Sequence, residues 1–196
     1  MNLRPSVLRF AQRLFLWLGI ATLAYAGGTA AYVDAYQRYQ SWKFEQDLTA
    51  PGGNKAEIAQ DTADLREGDI VGKLEVPRIG ISVMVLQGIE KKTLVAGAGH
   101  VPQTPLPGVA GNVVIAAHRD TFFRNLNGIR PGDRIQVATL RRTYVYIVDS
   151  TEVVDPDDIQ VMESRGRAEL TLITCYPFYL VGPAPKRFIV HAQPSK

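Results

Sequence analysis

From Leu14 to Val33 the chain runs for twenty residues without an Asp, Glu, Lys or Arg. At about 1.5 Å per residue, a helix of that length spans roughly 30 Å, the thickness of a hydrocarbon layer. Trp17, Leu18, Ile20 and Leu23 leave it no polar face to turn toward water, which excludes an ordinary surface helix of a soluble core. Arg4, Arg9 and Arg13 precede the stretch, while Asp34 follows it with Arg38 further on. That bias predicts a single pass with the N-terminus in the cytoplasm and the rest of the chain outside. Ala24-Tyr25-Ala26 before Gly27 has the small-residue pattern of a signal-peptide cleavage site. The apolar run continues past it to bilayer-spanning length, so a retained anchor in the cell membrane is the expectation carried forward.

What remains is enough for one globular core. With 196 residues and 46% hydrophobic content the chain does not hold two full domains besides the anchor. The sequence divides into a cytoplasmic tail and anchor at 1–33, an extracytoplasmic linker at 34–68 and a folded domain at 69–196. Tyr36, Tyr39, Trp42 and Phe44 fit a continuation of the helix through the headgroup region. Pro51-Gly52-Gly53-Asn54 and the acidic, polar run from Lys55 to Asp69 read as a tether. The 22 basic residues are dispersed and the net charge is only +3, which argues against nucleic acid as a partner. One cysteine rules out an internal disulfide, whichever the compartment.

The folded part reads as short strands. Ile79, Ile81, Val83 and Val85 alternate, as do Ile135 with Val137, and Val145 with Ile147 against Tyr144 with Tyr146. Pro131-Gly132-Asp133 has the order of a type II turn, and Gly111-Asn112 and Asp155-Pro156-Asp157-Asp158 punctuate further runs. The fold class expected is all-β, a barrel or sandwich, with short helical turns at Lys91 to Ala98 and Thr121 to Gly128.

Three residues stand at the ends of such runs. Cys175 closes Thr171-Leu172-Ile173-Thr174-Cys175, His118 closes Gly111 to His118, and Arg187 opens the run after a loop containing Pro177, Gly182, Pro183 and Pro185. Alternation places Cys175 on one face with Ile173 and Thr171, and Arg187 on one face with Ile189 and His191. If those two strands are neighbours, thiol and guanidinium share a rim. A thiol with a reference pKa of about 8.5 is a poor nucleophile at neutral pH until a nearby cation stabilises its anion. An imidazole beside it then hands a proton to a departing amine, and a guanidinium, which cannot act as a base, donates to an oxyanion. Taken singly, each residue is more often plain packing than chemistry, a strand-end cysteine above all. His100, in a Gly- and Pro-rich loop, and His191, near the C-terminus, read as structural. No metal site is expected: the histidines lack ligand spacing, and Asp155, Asp157 and Asp158 read as a solvated turn rather than calcium ligands.

Taken together, the residues resemble a known family. Thr171-Leu172-Ile173-Thr174-Cys175 is similar to the Thr-Leu-x-Thr-Cys motif of sortases, membrane-anchored cysteine transpeptidases of bacterial surfaces. Cys175-Tyr176-Pro177-Phe178, the segment Val181 to Val190, and His118-Arg119-Asp120-Thr121-Phe122-Phe123 resemble the corresponding regions of class D sortases. The resemblance covers roughly Gly72 to Ala192, with one departure, Ala117 where a glycine is expected before the histidine. It implies a closed β-barrel of eight strands with no cofactor. It also implies Cys175 as nucleophile, His118 as general acid and base, and Arg187 as the oxyanion and substrate-orienting residue, with Thr174 a candidate for contact with substrate or for packing. The partners it implies are secreted proteins carrying a Leu-Pro-x-Thr-Gly-like C-terminal sorting signal, and an amine acceptor from a cell wall precursor or a pilin lysine. Two other readings stay open on the residues alone: a cysteine hydrolase that passes the acyl group to water, and an anchored binding module with a merely packed Cys175.

Overall fold

A computed structural model describes residues 5–49, 65–164 and 166–195. The tether read at Pro51 to Asn54 and most of 55–69 lie outside the described residues, as does Arg4.

The apolar stretch is helical, and the helix does not stop at its end: α1 runs from Pro5 to Thr49. It is the one candidate among the described residues that is long and apolar enough to cross a membrane. Eight strands follow: β1 (Ile70–Val76), β2 (Ile81–Gln87), β3 (Ala98–His100), β4 (Asn112–Ala116), β5 (Arg134–Ala138), β6 (Thr143–Val154), β7 (Glu169–Tyr176) and β8 (Lys186–Pro194). They close into a barrel in the order β1-β2-β3-β4-β7-β8-β6-β5. Closure removes the edges that an open sheet of this size would expose. Two neighbours are parallel, β2 with β3 and β4 with β7, and the other pairs are antiparallel.

The expected helical turns are present as α2 (Lys91–Ala96) and a 3₁₀ turn at Arg124–Gly128. α2 supplies part of the crossover that a parallel β2–β3 pair needs. Ile79, read as part of a strand, instead ends a 3₁₀ turn opened by Pro77, and β2 begins only at Ile81. Proline fixes φ near the helical range and donates nothing to a ladder, which favours that turn. Gly132 has φ of +90°, as the third position of a type II turn requires, and Asp133 N–H closes the turn on Arg130 O.

Inside the barrel, alternate residues interdigitate: Leu74 and Val76 of β1, Val83 and Val85 of β2, Val113 and Ile115 of β4, Leu170 and Leu172 of β7, Val190 and Ala192 of β8. On β6 the inward row is Tyr144, Tyr146 and Val148, so the tyrosines, and not Val145 and Ile147, face the core. Burial of the Tyr146 phenol pushes its pKa up to about 12. Phe123 and Leu126, from the segment after His118, plug the same core.

α1 is fastened to the outside of the barrel. The Gln37 amide donates to Ala96 O and accepts from Met84 N–H at 3.0 Å, and Lys73 on β1 pairs with Glu45 at 2.9 Å. Phe44, on the same stretch of α1, is 2% exposed, buried where the sequence pattern suggests a headgroup contact.

Candidate active site

The site is built from strand ends. β7 and β8 are antiparallel neighbours, and their register sets Cys175 directly opposite Arg187 and Thr174 opposite Phe188. Since Leu170 and Leu172 point into the core, alternation turns Thr171, Ile173 and Cys175 outward, with Arg187, Ile189 and His191 on the same face. The condition posed by the sequence, that these two strands be neighbours, is met.

β4 lies on the other side of β7, parallel to it, and ends at Ala116 beside Ile173. The chain keeps that alignment for one residue more: Ala117 N–H donates to Ile173 O at 3.2 Å, and the Thr174 hydroxyl donates to Ala117 O at 2.7 Å. His118 is therefore brought level with Cys175, on a track about 4.8 Å from β7. Cys175, His118 and Arg187 occupy three adjacent backbone positions at one rim, the C-terminal ends of β4 and β7 and the start of β8. All three are half-buried.

Thr174 faces the opposite way from Cys175. It is 2% exposed, and its hydroxyl is engaged with the backbone just before His118. The Arg187 guanidinium donates through Nη1 to Lys186 O at 3.0 Å and, more weakly, to Ala184 O at 3.4 Å. These bonds hold it close to the chain at the mouth of the β7–β8 loop.

One residue that sequence reasoning passed over completes the rim. Arg119 is only 9% exposed, and its guanidinium donates to three carbonyls of the β7–β8 loop: Pro177 O at 2.9 Å, Leu180 O at 2.8 Å and Gly182 O at 2.7 Å. The histidine segment and the loop between Cys175 and Arg187 are thus tied by one side chain. The only signal available in the sequence was a charged residue next to His118, within a short polar run between two apolar ones.

Below the rim, the outer face of the barrel carries a polar chain. Glu152 meets His191 Nε2 at 2.8 Å, His191 Nδ1 lies 3.4 Å from the Thr171 hydroxyl, and Thr171 donates to Asn112 Oδ1 at 2.9 Å. Asn112 Nδ2 donates to Val161 O at 3.3 Å and, at the limit, to Glu163 O at 3.5 Å, which straps the β6–β7 connection over the strands. Both ring nitrogens of His191 are thus engaged, and so are those of His100, which lies in β3 and not in a loop and whose buried ring contacts Gln87 Oε1 at 2.8 Å and Pro105 O at 3.0 Å. Burial holds the His100 pKa below its ordinary value, against a smaller opposing effect of Pro105 O. Asp155, read with Asp157 and Asp158 as a turn, pairs with Lys186 at 2.8 Å, and Asp158 caps the 3₁₀ turn at Ile159–Met162 by accepting from Gln160 N–H.

Comparison with known proteins agrees with this geometry. Residues 74–195 match the family model described as a sortase domain. The chain is 33% identical over 149 residues to Sortase D of Bacillus subtilis, covering 76% of this chain and 73% of that protein. Among solved structures, a Clostridium perfringens Sortase D5 transpeptidase superposes with a TM-score of 0.72 at 23% identity, covering 83% of this chain and 99% of that one. The pilus-related Sortase C of Group B Streptococcus superposes with a TM-score of 0.66, also at 23% identity, over 78% and 95% of the two chains.

Proposed function

The chain belongs to the sortase family, and on that premise we propose that Cys175, His118 and Arg187 carry its transpeptidase chemistry on a sorting-signal substrate at a membrane surface. The register that sets Cys175 opposite Arg187, with His118 level on the other flank, is the observation that carries this reading.

The order of events follows from the side chains. The Cys175 thiolate attacks the carbonyl of a Leu-Pro-x-Thr-Gly-like signal after its Thr, forming a C–S bond and a tetrahedral oxyanion. Arg187 donates to that oxyanion, an interaction often worth about 3 kcal/mol in the transition state. His118 gives its proton to the departing glycine amine as the C–N bond breaks, leaving a thioacyl-enzyme. An incoming amine, from a cell wall precursor or a pilin lysine, then loses a proton to His118 as it attacks the thioester, and Cys175 departs as thiolate. Thr174 acts indirectly, by holding the backbone that aims His118.

α1 supports single-pass anchoring in the cell membrane, with the N-terminus cytoplasmic and the barrel outside. Substrates would then be secreted proteins that carry a C-terminal sorting signal.

The test is incubation of the chain with labelled sorting-signal peptides and hydroxylamine, with and without an amine acceptor. Cys175-dependent hydroxamate supports the reading. Acyl release to water unaffected by added amines would make the protein a hydrolase. No Cys175-dependent product with any of several related signals would leave an anchored binding barrel.

A further inference from the structure

The apolar stretch that ends at Val33 passes close beside the site. α1 is fastened to β2, α2 and β1 through Gln37 and Glu45. N-terminal to that fastening, Thr29, Val33 and Asp34 line one cleft with His118, Thr121 and Phe122. α2 packs into the same region, and its half-exposed Val95 also lines an adjoining hollow that extends along α1 from Val33 and Tyr32 to Gly28 and Tyr25.

Helical rise turns this adjacency into a depth. At about 1.5 Å per residue, Thr29 lies only about 6 Å inside Val33 along the axis. A helix that enters hydrocarbon near Val33 therefore carries a wall of the His118 cleft within about one turn of that boundary. The neighbouring groups suit a headgroup layer. Tyr32, next to Val33, is largely exposed on α1, where an amphipathic ring sits well at an interface. Lys91 and Lys92 are exposed on α2, where they would meet lipid phosphates. Val95 supplies an apolar side chain without a cover in the barrel itself.

We infer that the His118 end of the barrel faces a phospholipid surface, with Val95 and Thr121 in the headgroup layer of the same membrane that α1 enters. This rests on the anchoring reading above. The consequence is selective: the site receives chains held at that membrane, and a sorting signal far from the lipid surface reaches it poorly.

The experiment uses the full chain with Cys175→Ala, reconstituted in vesicles of phosphatidylglycerol and phosphatidylcholine. An environment-sensitive fluorophore is placed at one of three introduced cysteines: Leu18→Cys in the apolar stretch, Thr121→Cys at the cleft, or Arg141→Cys in the β5–β6 turn at the other end of the barrel. The probe at 121 should be blue-shifted by the vesicle interface and quenched by nitroxide on lipid headgroups, the probe at 141 should stay as in buffer, and acyl-chain nitroxide should quench the probe at 18. A quenched probe at 18 with a solvent-like probe at 121 overturns the inference and leaves anchoring standing. An unquenched probe at 18 removes anchoring itself, and the inference with it.

Discussion

The Thr174 hydroxyl donates to Ala117 O across the seam between β7 and the end of β4, at 2.7 Å, in a place closed to water. This bond lies one residue before Cys175 on one strand and one before His118 on the other. It ties the backbone that carries Cys175 to the backbone that carries His118.

Replacement of Thr174 by Val keeps the shape and removes the donor. A buried acceptor that loses its partner costs about 1–3 kcal/mol. We expect lower thermal stability together with a fall in kcat at nearly unchanged KM, because the alignment of His118 suffers and the substrate surface does not. A rise in KM at unchanged kcat would contradict this role.

Arg119 makes three bonds from one charged group to the loop that separates Cys175 from Arg187. Bonds to charged groups contribute about 1.5–3 kcal/mol each, and bonds from one side chain do not add independently. Arg119→Ala should release the loop, seen as faster amide exchange at residues 178–182 and loss of transpeptidation. Arg119→Lys should rescue little, since an ammonium lacks the planar fork that reaches three carbonyls. Full activity with loop exchange unchanged would show that the clamp is dispensable.

Arg187→Lys keeps a positive charge opposite Cys175 but gives up the guanidinium's geometry. If Arg187 stabilises an oxyanion, kcat should drop by roughly 10²- to 10³-fold, the usual loss of one such donor. The alkylation rate of Cys175, which involves no oxyanion, should change far less. Equal losses in both would make Arg187 a residue that sets thiol reactivity instead.

Away from the site, Asp133 ties two turns together. Its carboxylate takes hydrogen bonds from Arg78, the residue in the 3₁₀ turn between β1 and β2, and from Arg130 N–H at 2.9 Å. The Arg78 bond is the larger of the effects that hold the Asp133 pKa below the ordinary carboxylate range. The unfolded chain therefore binds a proton there first, at about pH 3.9. The stabilisation is fully present above that value and is lost as pH falls through the lower folded-state pKa. Asp133→Asn should lower the melting temperature at neutral pH and flatten its fall below about pH 4. A parallel fall in both proteins would exclude Asp133 from the acid limb.

What could be read from the sequence follows from the range of the interactions. Period-two alternation and turn residues act over two to four positions, so most of β2, β5, the start of β6, the turn at Gly132 and the helical pieces at α2 and Arg124–Gly128 were legible, whereas the three-residue β3 is too short to show alternation. Cys175 and Arg187 are legible as a pair because alternation and one loop connect them. The parallel contact of β4 with β7, which brings in His118, has no local signal; the family resemblance supplied the role of His118 and not this pairing. Arg119 and Gln37 were out of reach for the same reason. Their partners are backbone groups 47 to 63 residues away, and a carbonyl or an N–H carries no side-chain identity for a pattern to find. On β6 both faces are apolar enough to be buried, and only the closed barrel selects the tyrosine row.

The central claim is that Cys175 forms a thioester with a sorting-signal peptide, and intact mass of the chain during turnover tests it most directly. The account predicts an added mass equal to the peptide up to and including its Thr, less one water. That adduct should be absent in Cys175→Ala, accumulate in the absence of acceptor and vanish when an amine is added. An unmodified Cys175 while the peptide is being cleaved would contradict it.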